Sequence, residues 1–253
     1  MIEIDNCKLY NGDCLEIMPK LIEQGIRVDA IITDIPYGTT SCKWDTIIPF
    51  DKMWELLKKI RKDNTPIVLF GSEPFSSYLR LSNIKEYKYD WIWDKNKGCQ
   101  PQLANIQPMK SHENISVFGK NKIVYNPQFK KGEPYKRNNK GSSEKDNMIK
   151  SLKPIKQINN GFRYPNTILT FSRDFSAQTR KHPTQKPVAL MEYLIKTYTK
   201  EKDIVLDFTM GSGTTGVACK KLNRKFIGIE LDEKYFEIAK QRIENTKVEQ
   251  ELF

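Results

Sequence analysis

The sequence predicts an α/β fold, a doubly wound and mostly parallel sheet with a segment inserted between its two halves. Three observations lead to this prediction. Apolar runs of strand length alternate with stretches of helical spacing in both halves of the chain. A glycine-rich loop joins a strand to a helix near the C-terminal end. Between the halves, periodicity is lost in a stretch rich in Lys, Asn, Gly and Pro.

These patterns divide the chain into three regions. We expect residues 1–119 to form one half of the main domain and residues 166–253 to form the other. Residues 120–165 form the insert. Because the insert is polar and aperiodic, we expect it to be mobile until it binds a partner.

The first half begins with alternating apolar and polar residues from Ile2 to Tyr10, which indicate one strand. Apolar residues at helical spacing between Leu15 and Ile22 predict a helix, and the apolar run Val28–Thr33 predicts a buried parallel strand. By the same criteria the remaining elements of this half are a helix at 50–60, a strand at 66–70, a helix at 74–81, and strands at 87–93 and 114–118.

The second half repeats the alternation of strands and helices. Its expected elements are a strand at 167–171, a helix at 185–199, a strand at 204–207, a helix at 214–222, a strand at 226–230 and a helix at 233–244.

The loop after strand 204–207 carries the pattern G-x-G-x-x-G in Gly211, Gly213 and Gly216. Glycines at this spacing allow a tight turn and close approach of a ligand to the backbone. Glu230 ends the next strand, where a carboxylate can hold ribose hydroxyls. The loop therefore predicts a nucleoside-cofactor site, and a branched side chain at Gly213 is expected to fill the space that the ligand needs.

After this glycine loop and the helix that it opens, only one strand and one helix are expected, so the rest of the sheet must come from the N-terminal half. A nicotinamide-dependent dehydrogenase continues with further strand-helix units after its glycine loop, and the short tail disfavours that class. The cofactor half therefore stands last in the chain and a different function is expected to stand first.

The residues after the predicted strand 28–33 are Asp34, Ile35, Pro36 and Tyr37, at an edge of the sheet where ligands bind. An exocyclic amino group is a poor nucleophile because its lone pair is delocalised into the ring. Asp34 and the Ile35 carbonyl can each accept a hydrogen bond from one of its N–H groups. Pro36 stiffens the turn, and the ring of Tyr37 can stack on an extruded base. The alternative interpretation is an ordinary surface turn.

The net charge of +11 and the pI near 9.3 indicate a polyanionic partner. Residues 120–163 hold twelve Lys or Arg and three acidic residues, which is most of the excess charge. Within the insert, we expect DNA phosphates to be contacted by Lys130, Lys131, Lys136 and Arg137. A solvated lysine-rich loop is the alternative.

Several classes of protein are disfavoured by composition. The sequence contains no run of about 18 apolar residues, so we expect no membrane span. Its first residues lack the pattern of a signal peptide. Five scattered cysteines form no C-x-x-C pair, which disfavours both zinc and a disulfide framework. We therefore expect a cytoplasmic protein without a metal.

Five segments together resemble the β-group of amino-methylating DNA methyltransferases. Asp34–Tyr37 resembles its D-P-P-Y, and Asp207–Thr214 resembles its D-P-F-x-G-S-G-T. His182–Pro187 resembles H-P-T-x-K-P, Gly12–Glu16 resembles G-D-x-L-E, and His112–Phe118 resembles a further family strand. The order of the segments is more specific than any one of them. Ile35 stands where the family has the first proline, and Phe208-Thr209 where it has Pro-Phe.

The resemblance implies a Rossmann-like methyltransferase fold with permuted motif order, S-adenosylmethionine as cofactor, and double-stranded DNA with a flipped-out base as substrate. Asp34 favours N6 of adenine, since N4-cytosine enzymes more often have Ser at that position. The residues implied around the cofactor are Asp207, Gly211, Ser212, Gly213 and Thr214 at the methionine moiety, Thr184 and Lys186 at its carboxylate, and Asp13 at the adenine end. Asp13 as a helix cap and Lys186 as a solvated helix start are the alternatives.

Other activities remain open or disfavoured. N4-cytosine methylation is the nearest alternative, and a DNA-binding subunit that has lost catalysis is another. C5-cytosine methylation needs a nucleophilic cysteine, usually after proline, and no cysteine of this chain follows proline. Asp34 disfavours methylation of protein glutamine, whose enzymes have Asn first. An RNA substrate, a homodimer and a cognate restriction enzyme remain open.

Overall fold

The computed structural model describes residues 1–38, 45–99, 101–139, 155–173 and 185–248. The chain divides into two compact units, a larger one of residues 1–126 and 167–253 and a smaller one of residues 127–166. The smaller unit begins later than composition indicated, because residues 120–126 run along the larger unit. There Val124 N–H donates to the Asn64 carbonyl at 3.2 Å and Asn126 N–H donates to the Thr197 carbonyl at 2.7 Å.

The described residues form thirteen strands and six helices. The strands are β1 (Ile2–Ile4), β2 (Cys7–Asn11), β3 (Ala30–Thr33), β4 (Ile67–Gly71), β5 (Tyr87–Cys99), β6 (Lys110–Phe118), β7 (Lys130–Lys131), β8 (Tyr135–Asn139), β9 (Ile155–Asn159), β10 (Phe162–Arg163), β11 (Ile168–Thr170), β12 (Ile204–Asp207) and β13 (Lys225–Glu230). The helices are α1 (Cys14–Glu23), α2 (Phe50–Ile60), α3 (Phe75–Ser82), α4 (Val188–Tyr198), α5 (Thr214–Lys221) and α6 (Glu233–Glu244).

Nine strands of the larger unit form one sheet in the order β1-β2-β13-β12-β3-β4-β6-β5-β11. Seven of these strands run in one direction, and β1 and β6 run against them. The chain proceeds from β3 to β4 in one direction and from β12 to β13 in the other. The neighbours β12 and β3 therefore mark the topological switch point, where the carboxyl ends of parallel strands leave a crevice. This sheet confirms the predicted fold class.

Helices cover both faces of the sheet. One core cluster contains the buried side chains of α4, α5 and α6, such as Leu194, Ala218 and Phe236. The other contains those of α1, α2 and α3, and includes Met18 and Leu57. β3, β4 and β12 are buried almost throughout because helices lie on both sides, which explains their continuous apolar runs. Among the described residues no helix is long and apolar enough to span a membrane.

The first predicted strand is wrong in one respect. Residues 2–10 form a hairpin in which Ile2 pairs with Leu9, with Asp5 at a φ of 50° in the turn. The alternation of apolar and polar residues shifts by one position at Asp5-Asn6, where the turn lies, and the prediction of a single strand passed over this break. β5 is also longer than predicted, because its polar end continues to Cys99 against β6.

The smaller unit contains two antiparallel pairs, β7 with β10 and β8 with β9. Its aromatic side chains cluster: Phe129 lies 4.8 Å from Tyr164 and 6.3 Å from Phe162 between ring centroids. The Arg163 guanidinium lies 4.6 Å from the centre of the Tyr135 ring. These strands are short and mostly polar, so their sequence lacks the alternation that indicates a strand.

Candidate active site

A cavity of about 380 Å³ lies at the switch point. One wall is the segment Asp34–Tyr37 after β3, which we call the catalytic loop because the sequence predicts that role for it. Another wall is the glycine loop, defined as Phe208–Gly213 after β12. The segment 45–49, the start of α1 and the end of β13 close the remaining sides. The structure thus brings together the two loops that the sequence singled out. Thr33 and Asp207, which directly precede the two loops, are 174 residues apart in sequence and are joined by a hydrogen bond.

The catalytic loop is fixed by hydrogen bonds that leave acceptors at the cavity. The Tyr37 hydroxyl donates to Asp34 Oδ1 at 2.6 Å, and Thr209 Oγ1 donates to the Asp34 carbonyl at 3.1 Å. Among the described residues, none donates a hydrogen bond to the Ile35 carbonyl. The Tyr37 ring packs against Phe75 with centroids 5.1 Å apart. Asp34 and the Ile35 carbonyl are therefore placed as two neighbouring acceptors.

Lys186 lies beside the Asp34 carboxylate. Its ammonium donates to Asp34 Oδ2 and lies 3.4 Å from Glu113 Oε2. Burial raises the pKa of Asp34; the Lys186 ammonium opposes this rise and the Glu113 carboxylate adds to it. Burial also opposes the charged form of Lys186, but Asp34 and Glu113 outweigh it and raise the pKa of the ammonium. The resemblance implied a contact between Lys186 and the cofactor carboxylate, whereas here two carboxylates of the protein already hold this ammonium.

Asp207 ties the two loops together. Its Oδ1 accepts hydrogen bonds from Thr33 Oγ1 at 2.6 Å and from the Thr209 amide at 3.2 Å, and its Oδ2 accepts one from Thr215 Oγ1 at 2.5 Å. All these donors are neutral and the side chain is buried. Burial therefore raises the pKa of Asp207 to about 6. Asp207 forms part of the cavity wall, while its oxygens organise the loops.

Two glycines of the glycine loop have different surroundings, although both adopt positive φ angles, 52° at Gly211 and 76° at Gly213. A Cβ on Gly211 would meet no atom within 4 Å, and Gly211 lines the cavity. A Cβ on Gly213 would lie 2.8 Å from Ala239 Cβ and 3.0 Å from its Cα. Gly213 does not line the cavity. The structure thus places Gly213 against α6. The absence of a side chain at Gly213 makes room for Ala239 of this helix and not for a ligand.

Glu230 and Asp13 are two further carboxylates that line the cavity. Glu230 Oε2 accepts a hydrogen bond from the Gly211 amide at 2.8 Å and Oε1 accepts one from the Asp232 amide at 2.9 Å. Burial raises the pKa of Glu230. Asp13 caps α1, with its Oδ1 accepting from the Leu15 amide at 2.8 Å, and also lines the cavity. Each carboxylate keeps lone pairs that a ligand can use.

Ser212 and Thr214 complete the glycine loop. Arg242 of α6 donates to Ser212 Oγ at 2.9 Å and to Thr214 Oγ1 at 3.2 Å. Ser212 Oγ also lies 3.3 Å from Gln185 Oε1, next to Lys186 in the chain. These contacts hold the loop against α6.

Some predicted residues lie elsewhere. Thr184 falls outside the described residues, as do His182 and Trp44. Exposed positions of the smaller unit, on or beside β7 and β8, are occupied by Lys130, Lys131, Lys136 and Arg137.

Sequence reasoning missed Glu113 and Thr209 as members of the site. Thr209 links the loops through Thr33 and the Asp34 carbonyl, and it stands where the family has an aromatic residue. Glu113 lines the cavity beside Lys186. The available signal was an acidic residue directly before the predicted strand 114–118, which places a carboxylate next to the buried part of β6.

Comparisons with known proteins agree with this geometry. A model of the DNA methylase family of N6 and N4 methyltransferases matches residues 28–241. The chain is 30% identical to the Type II methyltransferase M1.MboII of Moraxella bovis, over 93% of this chain and 95% of that one. It is 29% identical to M.HpaI of Haemophilus parainfluenzae, over 94% of this chain and 74% of the relative.

Solved structures show the same architecture. The crystal structure of the M1.HpyAVI–SAM complex has a TM-score of 0.65 and 31% identity, and covers 93% of this chain and 99% of that chain. The cytosine-N4-specific PvuII DNA methyltransferase has a TM-score of 0.66 at 17% identity, a likeness of fold alone, over 94% of this chain and 86% of that chain. The chain therefore belongs to the N6/N4 DNA methylase family, and it is a DNA methyltransferase that uses S-adenosylmethionine.

Proposed function

We propose that this methyltransferase methylates N6 of adenine at a specific site in duplex DNA, with the target base turned out of the helix into the cavity. The observation that carries the proposal is the placement of Asp34 and the Ile35 carbonyl in the same cavity as the glycine loop. An extruded adenine can then present its amino group to two acceptors beside the cofactor.

The two acceptors activate the amine. S-adenosylmethionine, when bound, supplies a methyl group on a positively charged sulfur. Asp34 and the Ile35 carbonyl each accept a hydrogen bond from one N–H group of the amino group. These two hydrogen bonds favour a tetrahedral nitrogen whose lone pair points away from the ring. Positive charge develops on this nitrogen as it is methylated, and the Asp34 carboxylate is placed to stabilise it. The carboxylate can also receive the proton that the nitrogen then loses.

The cavity fits the cofactor. Its volume of about 380 Å³ lies within the range of small-molecule sites. Gly211 leaves its wall open, the start of α5 offers N–H groups to a carboxylate, and Glu230 keeps acceptors for hydroxyls. Asp13 also lines the cavity, and the resemblance assigns this residue to the adenine end of the cofactor. Lys186 has three donors, of which two face Asp34 and Glu113, so one is left for a cofactor carboxylate.

Asp34 supports adenine over cytosine, because the resemblance associates Ser with N4-cytosine enzymes. The mapping experiment is expression in a methylation-free host, followed by single-molecule sequencing of the genome. We expect N6-methyladenine at one sequence motif, and no modification with Asp34→Ala. Detection of N4-methylcytosine instead would show that the target is cytosine and not adenine. An unmodified genome with intact cofactor binding would indicate a DNA-binding subunit without catalysis.

The smaller unit is proposed to recognise the DNA site. Its basic side chains are exposed, and Phe129, Phe162 and Tyr164 are exposed beside them. Phosphate contacts release counterions, so each contact adds about 0.9 to the log-log salt slope of binding. The test variant changes four residues to Gln: Lys130, Lys131, Lys136 and Arg137.

We expect this quadruple variant to bind duplex DNA more weakly and with a smaller salt slope, while its affinity for S-adenosylmethionine stays unchanged. A matched control replaces four exposed lysines of the larger unit by Gln: Lys58, Lys59, Lys85 and Lys234. An unchanged slope in the quadruple variant would move DNA binding to another surface.

A further inference from the structure

Four charged side chains form a line that ends at the catalytic carboxylate. Lys95 of β5 lies 2.5 Å from Glu113 Oε1, and Glu113 Oε2 lies 3.4 Å from the Lys186 ammonium. Lys186 in turn donates to Asp34 Oδ2. Lys95, Glu113 and Lys186 are all largely buried. Lys95 and Glu113 lie on the paired strands β5 and β6, and Lys186 lies just before α4.

We propose that Glu113 is a positioning residue, which shares the Lys186 ammonium with Asp34 and so keeps the Asp34 carboxylate a strong acceptor for the target amine. This inference rests on the proposed role of Asp34. The other side of Glu113 is neutralised by Lys95, which holds the carboxylate in place.

The geometry shows an uneven division of the ammonium. Lys186 makes a hydrogen bond to Asp34 and only a longer ionic contact to Glu113. Glu113 Oε2 is buried and has no hydrogen bond among the described residues. A single buried ion pair of Lys186 and Asp34 would already satisfy both charges. The additional pair of Glu113 and Lys95 is therefore not needed to neutralise these two charges. Its effect is on how strongly the Lys186 ammonium interacts with Asp34.

The charged and titratable groups that face Asp34 come from four parts of the fold. They are Lys186 before α4, Glu113 of β6, Tyr37 of its own loop and Asp207 at the end of β12. Removal of the Glu113 charge makes the ionised form of Asp34 more favourable, which lowers its pKa. Removal of Lys95 leaves the Glu113 charge unbalanced and has the opposite sign.

The test is Glu113→Gln, measured by single-turnover methyl transfer from pH 5 to pH 8 on DNA from a methylation-free host. We expect the maximal rate to fall on the order of 10-fold, because a weaker base is a weaker acceptor. The acidic limb should move to lower pH by about one unit. Lys95→Met should move that limb to higher pH.

The matched control is Glu86→Gln, since Glu86 is 16% exposed and Glu113 is 15% exposed, and each is paired with a buried cation. Loss of the Glu86 pair with Arg61 should lower stability and leave the acidic limb in place. If Glu113→Gln shifts the limb no more than Glu86→Gln, or if Glu113→Gln and Lys95→Met shift it in the same direction, the proposal is overturned.

A direct titration separates this proposal from the proposed function. Carbon-13 NMR of labelled aspartate carboxyls, assigned with Asp34→Asn, follows the Asp34 pKa in the protein without DNA. Opposite shifts in the two variants support the role of Glu113 even where methyl transfer is absent, and absent transfer in the wild type counts against the proposed function alone. If Glu113→Gln does not fold, Lys95→Met decides: a raised pKa supports the proposal and an unchanged one overturns it.

Discussion

The carboxylates beside the two loops at the switch point are held in different ways. Asp207, at the end of β12 directly before the glycine loop, is surrounded by neutral hydroxyl and amide donors. Glu230, at the end of β13, accepts from two backbone amides. In the catalytic loop, Asp34 is paired with the full charge of Lys186. Neutral donors fix a geometry, whereas a shared cation also controls how strongly a carboxylate accepts.

This difference indicates a structural role for Asp207 and is consistent with the reactive role that we propose for Asp34. The Asp207 oxygens are engaged by the protein itself, so this carboxylate shapes the cavity and holds β3 to β12. Asp34 lines the cavity beside Ile35, where we propose that the target base binds. Substitutions in one loop should therefore change methyl transfer, and those in the other should change folding and cofactor binding.

The largest effect is expected for Asp34→Ala. An acceptor aimed at developing charge is lost, so methyl transfer should fall on the order of 10²-fold or more, while cofactor affinity stays unchanged. Single-turnover kinetics and calorimetry measure the two quantities. Asp29→Ala is the control, because Asp29 lies before the other end of β3 and also holds a lysine, Lys62, at 2.6 Å. Wild-type turnover in Asp34→Ala would remove the distinction between the loops.

The second prediction concerns Asp207 and the pH dependence of stability. Its pKa of about 6 in the folded protein lies above its ordinary value of 3.8, so the protonated form stabilises the fold. That contribution is present below pH 4 and is lost as pH rises through 6, by about 3 kcal/mol in total.

Asp207→Asn cannot titrate, so its free energy of unfolding relative to wild type should improve by about 3 kcal/mol between pH 4 and pH 7. Urea denaturation at a series of pH values measures this difference, in which the contributions of Asp34 and Glu230 largely cancel. A difference independent of pH would show that neutral donors stabilise the ionised form after all.

Much of the architecture was predictable because its signals are local. The apolar run before Asp34 and the glycine pattern after β12 each occupy a few consecutive residues, and the position of a buried strand places the following loop at the sheet edge. The order of the segments then placed the two loops at one switch point. These parts required no knowledge of distant contacts.

The rest depends on contacts between distant segments. The partnership of Lys186 with Asp34 joins residues 152 apart, and no spacing in the sequence encodes it. The same holds for Glu113, whose neighbours belong to other elements. Gly213 carried a motif whose usual meaning is ligand approach, but only the packing of α6 shows that Ala239 lies above it.

A third prediction compares the two glycines of one loop. Gly211→Ala and Gly213→Ala share the strain of a positive φ, about 1 kcal/mol, but only the second meets a neighbour, Ala239. Gly213→Ala should therefore be less stable by a further 1 to 3 kcal/mol or so. Gly211→Ala should weaken cofactor binding, since its methyl group enters the cavity.

The comparison can be tightened with a double mutant. Ala239→Gly removes the Cβ that Gly213→Ala would meet, so the pair should recover part of the lost stability, whereas Ala239→Gly should not help Gly211→Ala. Thermal denaturation and calorimetry measure both effects. Equal loss of cofactor affinity at the two positions would return Gly213 to the ligand side of the loop.

The smallest effect is expected for Tyr37→Phe, which separates the hydroxyl of the catalytic loop from its ring. The Tyr37 hydroxyl donates to Asp34 Oδ1 at 2.6 Å, on the oxygen next to the one that Lys186 holds. A base that stacks on the ring and donates to Asp34 competes with this hydroxyl. Its loss should therefore change the single-turnover rate by less than about 10-fold, in either direction. Tyr37→Ala removes the stacking face as well, and should weaken transfer on the order of 10-fold or more beyond Tyr37→Phe. If both variants are equally impaired, the hydroxyl rather than the ring is what the reaction needs, and Asp34 would depend on a neutral donor in the way that Asp207 does.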